Sequence, residues 1–192
     1  MMRPHRFVGW LIGVLLAGPA VGALAEEATH AGPSPRAVEA MRLLESDDAY
    51  QRQLGFLRLE ALRESATLET IATYLKHPDP EVRASSLRAF AAVQGAPSAP
   101  VLLQTLREEK HPRVRRAALL GLEPFESANP EILPALLQAL RDRNPEVRMT
   151  AVDIVSRINA APAKEAILIR NKREHNHDVR RVLALAMKRL GT

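Results

Sequence analysis

Six histidines, two adjacent serines and a recurring series of arginines are the side chains whose type and spacing could do chemistry in this 192-residue chain. His77 and His111 each precede a proline, and a ladder of such imidazoles could hold a metal. His175-Asn176-His177-Asp178 could ligate one from a single loop. Stable sites need about four ligands, and two histidines without a third partner read instead as a helix cap with exposed rings. Ser85-Ser86 lies in a stretch of helical periodicity, not on the strained turn that a nucleophilic serine needs, so it reads as packing. No glycine-rich phosphate loop is present. The chain has no cysteine, which excludes disulfides, thiol chemistry and a lipoprotein anchor. We therefore assign no catalytic, cofactor-binding or metal-binding residue.

The arginines differ because they recur. Asp79-Pro80-Glu81-Val82-Arg83 is echoed by His111-Pro112-Arg113-Val114-Arg115, by Asn144-Pro145-Glu146-Val147-Arg148 and by His177-Asp178-Val179-Arg180. The Val-Arg pairs lie 32, 33 and 32 residues apart, and a weaker copy ending in Arg52 lies 31 residues before the first. Arg52, Arg83, Arg115, Arg148 and Arg180 should thus align on one ridge, with Arg116 and Arg181 extending it. A period-locked charge fits stabilisation between neighbouring repeats, with Asp48, Asp79 and Asp178 as available partners; a ligand-facing role is the alternative. Arg88, Arg157, Lys188 and Arg189 are not locked to the period and are the better candidates for a partner surface.

The elements that must position these residues are helices. Ala, Leu and Arg dominate and aromatics are only 4%, a balance that suits helices rather than strands. In each signature Asp or Asn can cap the following helix, and Pro suits its first turn. Apolar stripes then run at helical spacing: Val82, Ser86, Phe90, Val93; Val114, Ala118, Leu122; Val147, Ala151, Val155, Ile158. A second amphipathic segment precedes each such helix, and breakers such as Gly95-Ala96-Pro97-Ser98 separate the pairs. The spacing predicts an all-α chain of five helix pairs, about 36–63, 66–93, 98–124, 130–158 and 162–190.

This pattern resembles the HEAT repeat, and more closely the short bacterial form typified by phycobilisome lyases, over about Arg36 to Gly191. The resemblance implies a right-handed α-solenoid whose second helices line a concave face, and a role that is mostly protein binding. Iron sites known on this scaffold use His-Glu dipeptides on facing repeats; here only the reversed Glu174-His175 occurs. The first repeat departs from the signature at Ala49 and Gln51.

The first residues read as a secretory signal. Arg3 and Arg6 precede an uncharged run from Phe7 to Ala25, and Ala23-Leu24-Ala25 offers a cleavage site. Cleavage after Ala25 and a flexible linker over 26–35 are the expectation; an uncleaved membrane anchor is the alternative. A cysteine-free exported chain of this kind looks bacterial, which places it in the periplasm or beyond. Of the formal +5 charge, Arg3 and Arg6 supply two, and residues 164–192 hold eight basic against three acidic side chains. Such an end suits an acidic protein or peptide; export argues against nucleic acid. The reading is an exported protein-binding scaffold, monomeric or part of a larger envelope complex. The alternative is a metal-binding or enzymatic repeat protein using its histidine-bearing turns. The last helix leaves Val182, Leu183, Leu185 and Leu190 with little polar cover, so either long basic stems lie across it or that end docks onto a partner.

Overall fold

A computed structural model describes residues 32–158 and 160–191; the expected leader, its expected cleavage site and residues 26–31 of the expected linker lie outside them. Ten α-helices are present among the described residues, with no strand. They pair in chain order: α1 (Pro35–Leu44) with α2 (Ala49–Leu62), α3 (Leu68–Thr73) with α4 (Pro80–Gln94), α5 (Ala99–Glu108) with α6 (Pro112–Leu122), α7 (Ile132–Ala139) with α8 (Pro145–Arg157), and α9 (Ala161–Arg173) with α10 (His177–Leu190).

The signature residues start the second helices as their chemistry requires. The Asp48, Asp79, Asn144 and Asn176 side chains accept from backbone N–H groups of the first turn of α2, α4, α8 and α10, which satisfies donors that have no partner inside the helix. Proline occupies the first turn of α4, α6 and α8, where its missing N–H costs nothing. The linker ends earlier than residue 35. Ser34 caps α1 through Ala37 and also binds the Glu64 carboxylate through its N–H at 2.8 Å and its hydroxyl at 2.6 Å, and Pro35 is already helical. The first helices of the second and fourth pairs are short, with 6 and 8 residues. α3 keeps two α-turns between 3-10 segments at Ser65–Thr67 and Tyr74–Lys76, and α6 passes at Pro124 into a 3-10 segment, Glu123–Ala128.

The valine stripes form the core. Val82, Ser86 and Phe90, then Val114, Ala118 and Leu122, then Val147, Ala151 and Val155 are all buried. The second helices pack in series, α2 on α4, α4 on α6, α6 on α8 and α8 on α10. α4 shows how a repeat serves two neighbours: Val82, Ala89 and Phe90 pack toward the first two pairs, and Ala84, Leu87 and Ala91 toward the third. Small residues let helices close up. A Cβ on Gly55 would stand 2.7 Å from Leu44 Cδ2 and 2.8 Å from the Ala40 carbonyl, so no larger residue fits where α1 crosses α2.

Candidate functional site

Counting from the N-cap of each second helix makes the repeats superimposable. Two residues before the cap stand Ser46, His77, Glu109, Asp142 and Glu174; four residues after it stand Arg52, Arg83, Arg115, Arg148 and Arg180. In the middle of the stack these two positions lock adjacent repeats together. Arg115 donates through Nε and Nη2 to both Asp142 oxygens at 2.8 and 2.7 Å, while its Nη1 donates to the carbonyls of Glu109 and Lys110 in its own turn. Arg83 grips Glu109 with two bonds of 3.0 Å and the carbonyls of His77 and Pro78. Arg148 grips Glu174 at 2.9 and 3.0 Å and the carbonyls of Asp142 and Arg143. Paired N–H donors to one carboxylate are strong and geometrically specific.

Each carboxylate also accepts the N–H of the residue that caps its helix: His111 on Glu109, Asn144 on Asp142, Asn176 on Glu174. One residue therefore serves two joints. The side chain of Asp142 faces the repeat before, and its carbonyl accepts from the repeat's own Arg148. The aspartates expected to hold these arginines do not. Asp48 and Asp79 are used up as helix caps, and Asp178 sits beside His177; the carboxylate comes instead from the turn of the following repeat.

The two ends of the ladder differ from its middle. Arg52 reaches the carbonyls of Ser46 and Asp47 at 2.7 and 2.8 Å. The residue facing it from the next turn is His77, whose Nδ1 accepts from Asp79 N–H and whose ring stacks on Tyr74. The Nε of Arg52 is left buried without a partner. At the other end Arg180 is exposed and, among the described residues, its side chain holds no hydrogen bond or ion pair. The ladder expected over five arginines closes completely at three.

Glu174 is the most polarised group of the ladder. Its side chain is 1% exposed and also binds Arg170. Burial works against its charge, but the hydrogen bonds from Arg148 and the Asn176 N–H and the fields of Arg170 and Arg148 outweigh it, holding the carboxyl at about 2. Glu109 is likewise lowered: burial opposes its charge and the Arg83 and His111 bonds overcome it. A folded-state value below the unfolded one means stability present above about pH 4.3, the unfolded glutamate value, and lost as the pH falls toward about 2. The urea midpoint should therefore drop between about pH 4.5 and pH 2.5. Glu174→Gln should be less stable at neutral pH and show a flatter acid limb; an acid limb as steep as that of the parent protein would show that Glu174 does not carry the effect.

The residues expected to form a partner surface lie on the second helices, and three of the four pair across a joint. Arg88 faces Glu60 at 3.7 Å, Arg157 binds Glu123 at 2.8 Å and also Asp153, and Arg189 binds Ser156 at 2.6 Å and Asp153 at 3.4 Å. Lys188 alone of the four has no such partner among the described residues. Arg113 with Glu81 and Arg116 with Glu146 make further cross-repeat pairs. His77 and His111 do not occupy equivalent positions: His77 precedes its cap by two residues while His111 is itself the cap. Among the described residues no three His, Cys, Asp or Glu side chains group as metal ligands, and no helix is long and apolar enough to cross a membrane.

A feature missed in the sequence appears once the pairs are stacked. The ninth residue after each cap is Leu57, Arg88, Leu120, Asp153 and Leu185. The three leucines are 46%, 43% and 66% exposed, on a ridge that apolar and charged side chains share in alternation. Beside Leu120 a shallow groove is lined by Arg63, Arg88, Gly121 and Phe125. The period was legible, but this position changes chemistry at every repeat and so carries no pattern in one dimension.

Helix pairs whose second helices pack in series through one repeated arginine–carboxylate lock define an α-helical repeat protein. The chain belongs to the HEAT repeat family, whose model matches residues 38–123 and 99–188. Among solved structures it is similar to the complex of CpcE and CpcF of phycocyanin lyase from Nostoc sp. PCC7120, with 20% identity and a TM-score of 0.62 over 79% of this chain and 97% of that one. It is also similar to an engineered protein, with 19% identity and a TM-score of 0.51 over 82% and 80% of the two chains. At such identity the likeness is one of fold. No curated protein matches the chain.

Proposed function

We propose that the chain is an exported protein-binding scaffold that acts by holding a partner rather than by catalysis. The observation that carries this reading is the leucine ridge, with Leu57, Leu120 and Leu185 exposed at one repeat position. Exposed leucines recurring in line at a fixed structural position are a recognition surface rather than scattered surface hydrophobes. Locked joints hold that surface rigid, which lowers the ordering cost of binding. Arg88 and the basic C-terminal segment suit a partner whose apolar side chains alternate with acidic ones, and the signal-like sequence of residues 1–25 supports an encounter in the periplasm or outside the cell, alone or within an envelope complex. That the similar lyase is itself a complex of two chains fits such a role.

Affinity capture from the native envelope tests the proposal. Leu57→Asp with Leu120→Asp should remove the proteins retained by the parent chain while leaving the fold intact by circular dichroism, and charge reversal at Lys188 and Arg189 should weaken retention. Unchanged capture with the leucine pair replaced sinks the ridge. The competing reading is enzymatic, favoured by the fold shared with a lyase. Stoichiometric iron or zinc in the purified protein, lost on replacing His175 and His177, would establish it.

A further inference from the structure

The outer face of α9 and α10 is built as a joint, not as a cap. Two positions are buried in every earlier repeat, and a third holds a carboxylate in the second to fourth. Six residues before the lock carboxylate, Ala40, Ile71, Leu103 and Leu136 are at most 3% exposed, but Leu168 is 36% exposed. Eight residues after the cap, Phe56, Leu87, Leu119 and Val152 are at most 2% exposed, but Ala184 is exposed. At the ladder position Arg83, Arg115 and Arg148 each hold a carboxylate, but Arg180 holds none. The outer face of the fifth pair keeps the small and apolar residues of an internal joint, with Arg181 and Lys188 beside them, their side chains exposed and unpaired among the described residues.

We infer that this face docks a helix pair of a partner protein whose inter-helix turn presents an aspartate or glutamate to Arg180. The inference rests on the protein-binding reading above and names its partner chemistry. Charge chooses the occupant. Three of the four internal joints set one carboxylate against the arginine fork, and the open face adds Arg181 and Lys188. A second copy stacked head to tail does not supply that group, because its first pair carries Ser46 at the lock position, where the hydroxyl oxygen accepts from the Asp48 N–H, and would leave Arg180 as short of a carboxylate as Arg52 is. The partner is therefore a different protein.

Photo-crosslinking in cells that make the full chain tests this, with the reactive side chain placed at Ala184 for the end face and, separately, at Leu120 for the ridge. The expected result is an Ala184 adduct to one protein, mapped to a turn between helices that contains Asp or Glu. Arg180→Glu should cut its yield about tenfold or more, as removal of a hydrogen-bonded interfacial charge does, and reversing the partner's acid to Arg should restore it. Adducts at Leu120 with none at Ala184 overturn the inference and leave the scaffold reading standing; no adduct at either position overturns both. An Ala184 adduct to a second copy, to lipid, or to a protein site indifferent to Arg180→Glu also overturns it.

Discussion

Replacing Asp142 with Ala will destabilise the stack by about 3–5 kcal/mol, the cost of leaving a buried charge without its partner. Arg115 is 4% exposed and cannot turn to solvent, because its Nη1 is tied to the carbonyls of Glu109 and Lys110. Without Asp142 the Nε and Nη2 donors stay buried and unmet, and the Asn144 N–H loses its acceptor as well. Arg115→Ala should cost a similar amount by freeing the two carbonyls and stranding Asp142. The double variant should lose clearly less than the two single losses combined, because each single change already breaks the same joint. Arg115→Lys should not rescue, since an ammonium keeps the charge but not the planar fork. Urea unfolding of the four proteins checks this; strictly additive losses would show that the two residues act separately.

The opposite change is expected at the first joint. His77→Glu should stabilise the protein by about 1–2 kcal/mol, the range for a hydrogen bond to a charged group added at a compatible site. At the three complete joints a carboxylate two residues before the cap meets both the arginine fork and the cap N–H. His77 meets only the second of these and leaves the Nε of Arg52 unmet. The lost ring contact between Tyr74 and His77, with centroids 6.3 Å apart, offsets part of the gain. The gain should vanish when Arg52 is also replaced by Ala, and His77→Ala should show none of it. If His77→Glu melts at or below the temperature of His77→Ala, the joint is not short of a carboxylate.

Much of the fold was legible because its determinants are local. A capping Asp or Asn, a first-turn Pro and a valine stripe act within a few residues of each other; α4 and α8 carry all three, α6 lacks the capping Asp or Asn and α10 the Pro. The lock was half legible. The arginines recur with the signature, but the carboxylates they hold lie 26 or 27 residues further on, in the next turn. The nearer aspartates share the signature, yet the N–H two residues on takes them first. Nor does the sequence separate Arg180 from Arg148: both follow the same valine, and only the presence of a following repeat tells them apart. The leucine ridge was not legible for a similar reason, since its five members differ in chemistry and are related only by stacking. The short α3 and the 3-10 segment after α6 reflect backbone choices at Thr67, Tyr74 and Pro124 that an apolar pattern does not record.

The unequal joints also give the molecule a direction. Repeat stacks open where the coupling between neighbours is weakest, and the units on either side exchange with solvent as separate blocks. At the lock position of the first joint Arg52 meets no carboxylate, leaving the looser Arg88–Glu60 contact at 3.7 Å, whereas the next three interfaces are cross-braced at that position by Glu109, Asp142 and Glu174. Amide protons of α1 and α2 should therefore exchange through a local opening well before those of α6 and α8, which makes the first pair the part that yields first under tension.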